Sequence, residues 1–90
     1  METLSIIVKG KVQGVYFRHF AREKARNLEL TGYVKNQTDL SVYILAQGEK
    51  AALDNFVAWC HNGSPESFVQ ELIIDRVVES QLFEGFEIIR

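Results

Sequence analysis

The hydrophobic period of this chain changes abruptly across nine residues, Gly10-Lys11-Val12-Gln13-Gly14-Val15-Tyr16-Phe17-Arg18. Before them, Leu4, Ile6 and Val8 alternate with Ser5, Ile7 and Lys9, the period-two pattern of a strand. From Phe17 onward, Phe20, Ala21, Ala25 and Leu28 recur at helical spacing, with Arg22, Glu23, Arg26 and Asn27 on the opposite face. The segment must therefore convert a strand into a helix within a few residues. Two glycines let the backbone turn tightly, so successive N–H groups can converge on one concavity. Arg18 falls where the helix begins, and a helix N-terminus attracts anions. Loop amides and one guanidinium predict a phosphate-sized cradle. The other reading of the same residues is a tight connection in which Arg18 merely starts a helix. Against it, a cation in a first helical turn opposes the helix dipole unless an anion is near.

The helix is expected to end near Leu28 to Leu30, before Gly32. Tyr33 to Asn36 and Ser41 to Gln47 read as two strands of a hairpin, joined by the turn-forming Asn36-Gln37-Thr38-Asp39. Gly48 is expected to open a second helix that carries Leu53, Phe56, Val57 and Cys60 on one face. Asn62-Gly63 stops that helix, and Ser64-Pro65 continues the loop. Val69 to Glu79 reads as a long strand. Its Glu71, Asp75 and Glu79 alternate in phase with Val69, Ile73 and Val77, which suits a sheet edge or a partly solvated face. Phe86 to Ile89 is a short last strand. The order is that of a ferredoxin-like βαββαβ α+β sandwich, an antiparallel sheet with both helices on one face plus a short C-terminal strand. Such an architecture hosts many functions and does not choose among them.

Ninety residues fit one domain, expected to span residues 1–90. The apolar share of 47% supports one core. A net charge of −2 and a pI of about 5.6 argue against an extended phosphodiester partner, so no nucleic acid is expected. One local cationic pocket fits that balance. The single cysteine, Cys60, cannot form an intrachain disulfide. No signal sequence or membrane span is evident, so no membrane association and a cytoplasmic location are expected.

The first loop is not a Walker A sequence, since no Gly-Lys-Ser/Thr follows its glycines. It also lacks a cysteine nucleophile. Asn36, at the end of a strand that this topology can set beside the loop, could orient a water, since an amide both accepts and donates. An isolated asparagine there is otherwise an ordinary turn residue. His19, His61 and Cys60 read as surface or structural residues, and no metal-ligand spacing is present.

The two segments together, Gly10 to Arg18 and Gly32-Tyr33-Val34-Lys35-Asn36, resemble the acylphosphatase family. Gly48, Gly63-Ser64-Pro65 and the ending Gly85-Phe86-Glu87-Ile88-Ile89-Arg90 extend the resemblance over essentially the whole chain. It implies a metal-independent enzyme, without cofactor, that hydrolyses acyl phosphates to a carboxylate and phosphate. Inorganic phosphate would then be product or competitive ligand, and a monomer is expected. The resemblance casts Arg18 and Asn36 as catalytic. Arg18 binds the phosphoryl group with the amides of Gln13, Gly14, Val15, Tyr16, Phe17 and Arg18, and Asn36 orients the attacking water.

Two positions depart from the family's usual pattern. The family usually has Asp-Gly in the hairpin, whereas Asp39 is followed here by Leu40, so a different turn and a shifted Asn36 are expected. A small residue is common where Tyr16 stands, so access to the pocket is expected to differ. The alternative function is a non-catalytic anion-binding or interaction module that uses the same cradle.

Overall fold

Alternating burial along β1 (Glu2–Lys11) drives Ile6 and Val8 to full burial and makes this strand an interior one of the sheet. A computed structural model describes all residues, 1–90. After β1 come α1 (Phe17–Asn27), β2 (Thr31–Asn36), β3 (Val42–Gly48), α2 (Lys50–Asn62), β4 (Phe68–Arg76) and β5 (Phe86–Ile89). The sheet order is β4-β1-β3-β2-β5. The ferredoxin-like order read from the periodicity is the one observed. β4, β1, β3 and β2 pair antiparallel, and β5 adds in parallel to β2, so the complete sheet is mixed.

Each helix buries one stripe on the same core. Phe17, Ala21 and Ala25 do so from α1, and Leu53, Phe56 and Cys60 from α2. They cover Ile6, Val8, Val34, Val42, Ile44 and Ala46 of the sheet. Trp59 of α2 joins the two helices, with its ring 5.2 Å from Phe17 of α1 and 6.0 Å from Phe56 of its own helix. Phe20, expected in this stripe, is instead 39% exposed and stands edge-on to His19. The i, i+4, i+8 row of Phe17, Ala21 and Ala25 is what faces the sheet, and Phe20 lies on its shoulder.

Two boundaries also differ from expectation. Gly48 is the last residue of β3, paired with Glu2, and α2 starts two residues later behind Glu49. A side chain at Gly48 would meet the Leu30 Cδ2 methyl at 2.4 Å, so Leu30 would have to move aside to admit it. The strand expected to reach Glu79 stops at Arg76 because the chain must leave one edge of the sheet to build the other. Residues 77–85 make that crossing over the helix-free face. Gln47 holds them there: its Nε2 donates to the Gln81 carbonyl at 2.7 Å, and its Oε1 accepts from the Phe83 amide at 3.1 Å. Phe83 packs edge-on against Tyr33. The charge mixed into β4 fits its place at the edge, where it pairs with β1 alone.

The β2–β3 turn was expected to depart from the glycine type, and it does not. Leu40 takes φ 74°, the left-handed conformation for which glycine is suited. Surrounding bonds impose it. The Gln37 amide donates to the Ser41 carbonyl, the Leu40 amide to the Gln37 carbonyl, and the Ser41 amide to Asp39 Oδ1. The bonds from Ser41 hold the Asp39 carboxyl below its usual range. Leu40 is 68% exposed, so its side chain gains little by burial to offset the strain. Leu40→Gly is therefore expected to stabilise the fold by about 0.5–1 kcal/mol, the left-handed penalty less the extra entropy of an unfolded glycine. Urea unfolding checks this, and a variant less stable than the parent would contradict it.

Candidate active site

At the strand-to-helix junction, Gly14 (φ 76°) and Tyr16 (φ 62°) both lie in the left-handed region, and Phe17 enters the helix directly after Tyr16. A left-handed residue followed by a right-handed one turns successive amides to one side and forms an anion-binding nest. No side chain caps α1, and no acidic residue lies in its first turn. Its N-terminal amides and positive dipole end are thus available to an anion.

The loop is braced from two distant segments. Gln13 Nε2 donates to the carbonyls of Gln37 at 2.8 Å and Ser41 at 2.9 Å, tying it to the β2–β3 turn. On the other side the buried Ser64 hydroxyl donates to the Val15 carbonyl at 2.8 Å, tying it to the α2–β4 connection. The turn that ends β2, and with it Asn36, is thereby locked to the loop.

A cavity of about 610 Å³ opens at this junction. One wall is the loop and first helical turn, with Val12, Gly14, Tyr16, Phe17, Arg18 and His19; the other is the end of β5, with Ile88 and Arg90. No Asp or Glu lines it. Neither Arg18 nor Arg90 belongs to any ion pair of the chain, whereas Arg22, Arg26 and Arg76 all do. The cavity is therefore positively charged, with a guanidinium free to take an anion.

Asn36 does not line this cavity. It closes β2 opposite the fully buried Val42, on the face that the helices cover. The last β2–β5 pair is Lys35 with Ile89, so Arg90 of the cavity wall follows level with Asn36. Asn36 Oδ1 is buried without a hydrogen-bond partner within the chain. A buried acceptor without a partner costs about 1–3 kcal/mol, so a role beyond packing is called for.

The six loop positions read as substrate-binding fall into two groups. Gly14, Tyr16, Phe17 and Arg18 line the cavity; Gln13 and Val15 are the points where the braces attach. Ser64, Ile88 and Arg90 belong to the resemblance read from the sequence, which gives them no role at the site. Ser64 is one serine in a loop, and its partner lies 49 residues away. Ile88 and Arg90 reach the cavity only through the parallel pairing of β5. Cys60 is fully buried, which pushes its thiol up out of the nucleophilic range and leaves it a core residue. No three His, Cys, Asp or Glu side chains cluster as a metal site. No helix is long and apolar enough to cross a membrane.

The acylphosphatase family model matches residues 4–88. An acylphosphatase of Shewanella amazonensis is 44% identical over 98% of this chain and 97% of its own length. One from Archaeoglobus fulgidus is 43% identical over 98% of each. The crystal structure of acylphosphatase from Bacillus subtilis superposes with a TM-score of 0.97 at 40% identity, over the whole of both chains.

Proposed function

Given that the chain belongs to the acylphosphatase family and is an acylphosphatase, we propose that residues 1–90 act as one catalytic unit that hydrolyses acyl phosphates without a metal, through Arg18, the loop amides and Asn36. The observation that carries this reading is Arg18 in the first turn of an uncapped helix, beside a cavity that no Asp or Glu lines. The amides of Gly14 to Arg18 and the Arg18 guanidinium hold the phosphoryl oxygens. The buried Asn36 Oδ1 accepts from a water and turns its lone pair toward phosphorus.

The water oxygen bonds to phosphorus as the bond from phosphorus to the acyl oxygen breaks. Products are the carboxylate and inorganic phosphate, with the water's proton released to solvent. The leaving carboxylate has a conjugate acid of pKa about 4, so no general acid is needed. Charge in the transition state is spread over the phosphoryl oxygens, so positioning and preorganised donors supply the catalysis.

The test is phosphate release from benzoyl phosphate in the presence of a chelator, for the parent and for Asn36→Ala. Turnover should survive the chelator, and kcat should fall by about 10²–10³ in the variant. Loss of activity to the chelator would end the metal-independent reading. Near-normal turnover in Asn36→Ala would remove its role in holding water.

A further inference from the structure

We infer that Tyr16 sets the acyl-group preference of this enzyme, favouring acyl phosphates whose acyl group carries an aromatic ring. The inference rests on the mechanism proposed above and adds the other half of the substrate to it. In-line displacement places the attacking water and the leaving oxygen on opposite sides of phosphorus. The water belongs with Asn36, whose Oδ1 is buried at the sheet. The acyl group therefore leaves on the side away from the sheet, toward solvent.

Tyr16 stands on that outer side. It lines the cavity and is 73% exposed, and it immediately precedes the helical turn that carries Arg18. Its ring pairs with no other aromatic ring, in contrast to Phe17, which is packed against Trp59. Tyr16 also holds φ 62°, a conformation that a non-glycine residue adopts only against a steric penalty. A strained, exposed aromatic residue at the rim of a site does not contribute to the core. What it offers is a flat face beside the place where the acyl group emerges, and an aromatic acyl group can stack on it.

The experiment measures kcat/KM for benzoyl phosphate and for acetyl phosphate in the parent, Tyr16→Gly and Tyr16→Phe. Glycine suits the local φ, so the first variant keeps the loop conformation. The readout is the benzoyl-to-acetyl ratio, in which any common effect through the loop backbone cancels. That ratio should fall by about 3–10-fold in Tyr16→Gly and be retained in Tyr16→Phe. A ratio unchanged in Tyr16→Gly, with both substrates hydrolysed by the parent, overturns this inference and leaves the proposed mechanism standing. An equal fall in Tyr16→Phe overturns it as well, since the hydroxyl and not the ring would then set the preference. A folded parent that hydrolyses neither substrate overturns the mechanism, and this inference with it.

Discussion

Arg18→Ala is expected to lower kcat/KM for acyl phosphates by at least about 10²–10³ while leaving the thermal unfolding midpoint within a few degrees of the parent. The asymmetry follows from how Arg18 is held. It makes no ion pair within the chain and projects into the cavity wall, so little of the fold depends on it. Its guanidinium presents a planar fork that matches two phosphoryl oxygens at once, and it does so beside amides already turned to the same point. Arg18→Lys keeps the charge but loses the fork, and should recover only a minor part of the activity. Steady-state kinetics and a melting curve on the same preparations decide the matter. A loss below tenfold in a folded Arg18→Ala protein would take the guanidinium out of the reaction.

Gly32→Ala should be among the most damaging single changes to stability, at about 4 kcal/mol or more, against about 5–13 kcal/mol for a whole domain of this size. Gly32 lies in β2 at φ 134°, and a Cβ there would come within 1.9 Å of the Leu45 carbonyl oxygen and 2.8 Å of its carbon. Both atoms are backbone of the neighbouring strand, so no rotamer can move aside; the β2–β3 pairing itself must open. Gly14 is the control. It also has a positive φ, 76°, but an added Cβ meets nothing within 4 Å, so only the torsional penalty of about 1–2 kcal/mol applies. Urea unfolding of the two alanine variants separates collision from torsion. Equal losses would show that torsion alone governs both positions.

The order of elements and the tight strand-to-helix turn of the first loop were legible because they rest on local signals. Period two becomes period 3.6 across Gly10 to Arg18, and the charge set into Val69 to Glu79 marks an edge strand. What could not be read depends on distant contacts. The parallel direction of β5 requires residues 77–85 to span the sheet, and Gln47 anchors them from near the end of β3. Leu40 keeps a glycine-like turn because a network that includes the Gln13 brace overrides its own preference. The loop motif predicts Gln13 as a substrate-binding residue, while the structure directs its side chain to a turn 24 residues away.

The place of β1 between two strands made later has a consequence for how the molecule is made. Its two neighbours are β3 and β4, so Leu4 pairs with Ala46 on one side and with Arg76 on the other. During synthesis at about 5–20 residues per second, β1 waits about 2–7 s between its own emergence and that of the end of β3. It waits longer still for β4, and the wall carrying Ile88 and Arg90 follows last. Throughout that interval an apolar strand is without its partners and open to chaperones or to neighbouring chains. The loop between β1 and α1 is thus among the first parts of the protein to be translated and among the last to take its working shape.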